Sequence, residues 1–169
     1  MPDITTLSFL NCGRWVNKEL SAFSGFQNSE STATLDMDAT LVSTNKIDAL
    51  FSYKGYKAYQ PLNTWWFEQG TILHTEFRDG NVPAGFEQLR VFKEALDCLP
   101  KDVENVRLRS DTAGYQHNLL RYCAKGENRR FGVIDFAIGC DVTQEFKELA
   151  IFRNTAPTFY EIVHESCRK

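Results

Sequence analysis

Residues 32–41 read Thr-Ala-Thr-Leu-Asp-Met-Asp-Ala-Thr-Leu, and this stretch constrains the chain most. Leu35, Met37 and Ala39 alternate with Thr34, Asp36 and Asp38, the period-two pattern of a half-buried β-strand. Alternation puts Asp36 and Asp38 on one face, one pleat apart. Two neighbouring carboxylates repel unless a cation or a proton separates them. Taken alone, the pair reads equally as the solvated acids of an exposed strand end.

The rest of the chain supplies a setting for that strand. Residues 1–11 show no clear period, and Trp15, Val16, Leu20, Ala22 and Phe23 predict a short amphipathic helix over 14–26. Residues 51–59 interleave Lys54 and Lys57 with three tyrosines. Such a pattern suits a phosphate backbone with bases stacked on the rings. It also suits an aromatic strand whose lysines face water. Residues 62–67 and 71–77 are two further strands around a Glu68-Gln69-Gly70 turn, which makes an antiparallel run of three. Trp65 and Trp66 place one ring on each strand face, and His74 reads as a packed strand residue. The loop over 78–85 is dense in turn formers.

Phe86, Leu89, Phe92, Ala95, Leu96 and Leu99 form one stripe at helical spacing, ended by Pro100. Residues 105–109 then alternate as a strand that runs into Ser110-Asp111-Thr112-Ala113-Gly114-Tyr115. A helix is predicted over 116–124, stopped by Lys125-Gly126. A fifth strand over 131–138 is apolar enough to be central, and a further helix begins at Gln144. Three antiparallel strands followed by strand–helix units predict a mixed α/β sheet of the ribonuclease H-like kind, with five strands and flanking helices. In that topology the first and fourth strands are neighbours, so Asp36 and Asp38 meet Asp111. On its own, Asp111 also reads as an N-cap.

Composition narrows the class. The 169 residues are 43% hydrophobic and 24% charged, as in an ordinary single globular domain. A net charge of −3 argues against adhesion to nucleic acid by charge alone. It leaves room for a local basic groove, and Arg107, Arg109, Arg121, Lys125, Arg129 and Arg130 make residues 101–130 locally basic. The five cysteines include no C-x-x-C pair, which disfavours zinc and a disulfide scaffold. The N-terminus lacks the pattern of a signal peptide, and no apolar run reaches bilayer length. A soluble cytoplasmic protein with no membrane partner is the expectation.

Two resemblances share the acidic motif. Asp36-Met37-Asp38-Ala39-Thr40 resembles the D-x-D-x-T motif of haloacid-dehalogenase-type phosphatases, which would make Asp36 the nucleophile and Asp38 the general acid/base. Ser110 and Lys125 fill that family's next roles only by force, and its acidic magnesium motif is missing.

The wider resemblance joins four blocks in order. They are Leu35-Asp36-Met37-Asp38-Ala39-Thr40, Tyr53-Lys54-Gly55-Tyr56-Lys57-Ala58-Tyr59-Gln60-Pro61-Leu62, Phe77-Arg78-Asp79-Gly80-Asn81-Val82-Pro83-Ala84-Gly85 and Leu108-Arg109-Ser110-Asp111-Thr112-Ala113-Gly114-Tyr115. Together, over about residues 30–148, they resemble bacterial insertion-sequence transposases of the DDE type.

That resemblance implies a ribonuclease H-like catalytic domain over 31–150, between an N-terminal helical segment at 1–30 and a divergent tail at 151–169. It implies metal-dependent phosphodiester cleavage and strand transfer in DNA. Asp38 corresponds to the first catalytic acid and Asp111 to the second, with Asp36 an alternate first acid or a helper. Asp38 and Asp111 would hold Mg2+ or Mn2+ in a two-metal site. Lys54, Lys57, Arg109 and Tyr115 would contact DNA. Transposon ends are the implied partner, and a homo-oligomer is allowed.

The family's third acid, a Glu, has no clear counterpart; Glu145 and Glu148 occupy the helix where a simple ribonuclease H-like domain carries one. On this reading the chain is a truncated domain with weak activity or none. The alternative is a non-catalytic remnant that binds DNA or a transposase.

Overall fold

The structure, a computed structural model, describes residues 31–140 together with 143 and 144. The helix expected over 14–26, all but the first residue of the one expected from Gln144, and Glu145 and Glu148 lie outside the described residues.

Strand β1, Thr32–Ala39, follows the alternation seen in its sequence. Ala33, Leu35 and Met37 are buried while Asp36 and Asp38 are turned outward. Four other strands complete the main sheet: β4 (Leu62–Trp66), β5 (Thr71–Glu76), β6 (Asn105–Ser110) and β7 (Asp135–Ile138). Their order is β5-β4-β1-β6-β7. β1 pairs antiparallel with β4, and β4 antiparallel with β5. On its other edge β1 pairs parallel with β6, which pairs parallel with β7. The sheet is therefore mixed, with β1 at its centre where the pairing changes sense. This order is compatible with the ribonuclease H-like arrangement.

Helix α1, Gln88–Cys98, buries Val91, Phe92, Ala95 and Leu96, much as its apolar stripe predicts. It lies against β5 and against α2, His117–Ala124, which in turn packs on β7. The core cluster joins the inward residues of β1 to these helices through Leu62, Leu73, Phe92, Leu108, Leu119 and Ile138. Burial of each such side chain contributes roughly 1.5–3 kcal/mol. Trp66 is buried and Trp65 is exposed, as expected of neighbours on one strand.

His74 is a buried strand residue, and its Nε2 lies 3.2 Å from Glu94 of α1. Arg90 of α1 adds ion pairs to Glu76, Glu87 and Glu94, so a polar seam ties α1 to β5. Burial works against the Arg90 charge, but the three carboxylates outweigh it and push its pKa upward.

Two expectations need correction. The strand predicted over 131–138 is shorter and lies at the edge of the sheet, not its centre. Gly132, at φ 62°, turns the chain, and the Ile134 amide donates to the Cys123 carbonyl, so the first part of the apolar run packs a turn. Residues 51–59 are likewise not one strand. Within it only Ala58–Tyr59 (β3) forms a strand, paired with Val42–Ser43 (β2) in a small separate sheet, while Phe51 and Lys57 meet in a single bridge. Gly55, at φ 80°, makes the turn that ends the alternation.

Candidate functional site

The parallel ladder between β1 and β6 sets the geometry of the acidic end. Asp36 is in register with Arg109, and Met37 with Ser110. One step further along the two strands lie Asp38 and Asp111. The Asp111 backbone is still extended, at φ −73° and ψ −168°, so the pleat continues beyond Ser110. Arg109 and Asp111 therefore share the sheet face of Asp36 and Asp38, opposite the buried Met37 and Leu108.

Local packing fixes where this end stops. Asp111 Oδ1 accepts a hydrogen bond of 3.0 Å from the Ala113 amide and so caps the 3-10 turn Thr112–Gly114. Gly139, just past β7, donates its amide to the Ser110 carbonyl at 3.1 Å. Gly114 sits so tightly on Ser110 that a Cβ there would lie 2.5 Å from Ser110 Oγ. The Gln116 side-chain amide donates to the Gly85 and Ala113 carbonyls and ties the turn to the loop before α1.

The three acids differ in what holds them. Asp38 Oδ2 accepts from the Thr40 hydroxyl at 3.1 Å. Asp111 uses one oxygen as a cap, so its structural reading and its exposure at the site hold together. Among the described residues, the second oxygen of each makes no hydrogen bond. Asp36 is fully engaged instead: Arg109 donates from Nε at 2.5 Å and from Nη2 at 2.6 Å, a two-pronged charge-assisted pair. That hydrogen bond is the main reason the Arg109 pKa is pushed upward. The Arg109 guanidinium also lies 4.6 Å from the centre of the Phe67 ring.

The other expected DNA contacts are dispersed. Tyr115 ends the 3-10 turn that Asp111 caps and is exposed. Lys54 and Lys57 belong to the excursion between β2 and β3. Lys57 Nζ donates to the Lys46 and Ile47 carbonyls, at 3.3 and 2.7 Å. Arg130, part of the basic stretch, stays exposed but donates to the Leu99, Pro100 and Val103 carbonyls.

Sequence reasoning missed the Asp36–Arg109 pair, which joins positions 73 residues apart. It also missed Glu68, whose carboxylate accepts the Thr34 amide at 2.8 Å and secures the middle of β1. A Gly three residues after Asp111, at the end of a strand, was the available signal for the tight turn.

The donor chemistry fits a hard divalent cation. Mg2+ prefers oxygen ligands and is commonly held by one or two carboxylates plus substrate phosphates, which Asp38 and Asp111 can satisfy. Among the described residues no group of three His, Cys, Asp or Glu is placed to hold a metal.

Fold and site together define an α/β domain with a mixed five-stranded sheet and an acidic end between two parallel strands. The chain belongs to the transposase DDE domain family, group 1, which it matches over residues 13–163. That match extends past both ends of the four sequence blocks. No curated protein and no solved structure matches the chain. Among the described residues no helix is long and apolar enough to cross a membrane.

Proposed function

We propose that this chain is a ribonuclease H-like transposase domain acting on DNA phosphodiesters, with Asp38 and Asp111 as its metal-holding acids. The observation that supports it most is the β1–β6 register, in which both acids follow the Met37–Ser110 pair on one sheet face. When bound at these carboxylates, Mg2+ or Mn2+ would supply charge stabilisation to the attacking and leaving oxygens of an in-line displacement.

The chain's own residues prepare that site. Asp111 fixes the 3-10 turn with one oxygen and offers the other. Thr40 orients Asp38 in the same way. Arg109 neutralises Asp36, so a third negative charge does not stand uncompensated beside the pair. Asp36 is thus a positioning residue in this reading, and Arg109 reaches DNA only with the part of its guanidinium that Asp36 leaves open.

Mn2+ titration of the wild type and of the Asp36→Asn, Asp38→Asn and Asp111→Asn variants tests this reading. Loss of binding in both Asp38→Asn and Asp111→Asn, with binding kept in Asp36→Asn, supports it. Binding that survives without Asp111 but fails without Asp36 favours the phosphatase reading.

A second reading has one observation in its favour: no third ligand joins the two acids among the described residues. On that reading the domain binds DNA without cutting it. DNA binding undiminished in Asp38→Asn and Asp111→Asn, together with no Mn2+ uptake by the wild type, would select it.

A further inference from the structure

The chain between β2 and β3 leaves the main sheet as a small hairpin. Its ladder consists of the Phe51–Lys57 bridge, the Ser52 amide on the Tyr56 carbonyl at 2.8 Å, and the Ala58 amide on the Leu50 carbonyl at 3.1 Å. A second limb, residues 44–47, is tied to it by the Thr44 amide on the Lys57 carbonyl and by the Lys57 ammonium on the Lys46 and Ile47 carbonyls. Between the limbs lies an open groove of about 560 Å³, with Asn45, Phe51, Tyr56 and Lys57 among its lining. That volume is in the range of small-molecule sites.

Apolar surface is concentrated here without being buried. Phe51 is 63% exposed, Tyr53 77% and Tyr56 38%. Exposed rings in such number call for a partner that covers them. Lys46, Lys54 and Lys57 stand among the rings against a single acid, Asp48, so the hairpin is locally basic in a chain of net charge −3. Lys54 lies 5.7 Å from the Tyr53 ring centre, and Lys46 5.9 Å from that of Tyr59.

Aromatic faces beside ammonium groups are the surface that unpaired nucleic acid requires: rings for the bases, cations for the phosphates. A paired duplex would bring phosphates to the lysines but leave the rings uncovered, because its base faces are already stacked. The groove is also near the acids. Four residues, and so five residue steps, separate Asp38 from Ser43, a reach of at most about 18 Å.

We propose that this groove holds unpaired DNA, with bases stacked on Phe51 and Tyr56 of its lining and phosphates on Lys57, which lines it, and on Lys46 and Lys54 of the same excursion. The proposal rests on the DNA-processing reading above and adds to it a preference for an unpaired strand beside the acidic end. Asn45 supplies a side-chain amide that can hydrogen-bond an exposed base edge.

The experiment is fluorescence anisotropy of the full chain with a labelled mixed-sequence 12-nucleotide strand and with the same sequence as a duplex, in low salt without metal. The expected result is that Phe51→Ala combined with Tyr56→Ala weakens single-strand binding by about tenfold or more, with duplex binding changed less than twofold. Phe51→Trp combined with Tyr56→Phe keeps a ring at each position and should retain the single-strand affinity. Circular dichroism confirms that each variant is folded.

Duplex binding with no single-strand binding by the wild type overturns this proposal and leaves the DNA-processing reading standing. Equal loss of both forms in the alanine variant also overturns it, since bases would then not be what the rings contact. Binding of neither form overturns the groove proposal and counts against the broader reading too.

Discussion

Arg109 grips both carboxylate oxygens of Asp36 across the β1–β6 ladder, at 2.5 and 2.6 Å, and so separates one acid of the D-x-D motif from the other. Asp38, two residues on, keeps an oxygen free of hydrogen bonds to the described residues. The two aspartates of one motif thus have different surroundings, and substitutions at them should have different effects.

Asp36→Asn should lower stability modestly, by about 1 kcal/mol or less, because the pair is partly exposed and water screens it. Urea denaturation measures the change. Mn2+ affinity should move less than threefold. A loss as large as that of Asp38→Asn would show that Asp36 touches the metal.

Gly114→Ala should be more costly than an exposed turn substitution normally is. The new Cβ would lie 2.5 Å from Ser110 Oγ and 2.7 Å from Ser110 Cβ, so either the 3-10 turn or β6 must shift. Destabilisation of about 1–3 kcal/mol is expected from such overpacking. Since Asp111 caps that turn, Mn2+ affinity should fall along with the urea midpoint.

Arg130→Ala should destabilise the protein although it removes a charge from a basic segment. The guanidinium satisfies the Leu99, Pro100 and Val103 carbonyls in the turn after α1, and its loss costs about 0.5–1.5 kcal/mol, since water can reach part of that surface. Duplex DNA binding should change less than twofold. A large fall in DNA binding with unchanged stability would reverse this assignment.

Cys123 gives a pH dependence of defined sign. Burial pushes its thiol from 9.0 up to about 12. Above pH 9 the unfolded chain releases this proton while the folded chain keeps it, so the folded state binds more protons. Stability should therefore fall as pH rises from about 9 to 12, by at most about 1.4 kcal/mol per unit from this group. Urea midpoints from pH 8 to 10.5 should decline less steeply in Cys123→Ala than in the wild type, whatever their absolute values.

Much of this was legible along the chain because local periodicity survives folding. The burial of Ala33, Leu35 and Met37 follows the alternation in β1, and the stripe from Leu89 to Leu96 gives α1. What stayed hidden depended on distant partners. Nothing near Arg109 indicates that it will face Asp36 rather than solvent, and nothing near Arg130 points to the carbonyls in the turn after α1. The position of β7 at the edge was equally hidden, because an apolar run does not say whether it packs within a sheet or around a turn. For the acidic end, strand order placed Asp38 beside Asp111 in advance, but not the glycine contact that fixes the turn.

The central place of β1 has a consequence for how the protein is made. Its antiparallel partners β4 and β5 follow within forty-odd residues, so that half of the sheet can pair while synthesis continues. Its other edge stays open until β6 arrives, and only then do the residues after Met37 and Ser110 stand side by side. A nascent chain that has produced Asp38 but not Asp111 holds only one member of the pair proposed to bind a metal. The acidic end is therefore assembled late, from strands made at different times, and Asp38 and Asp111 come together only once β6 has joined β1.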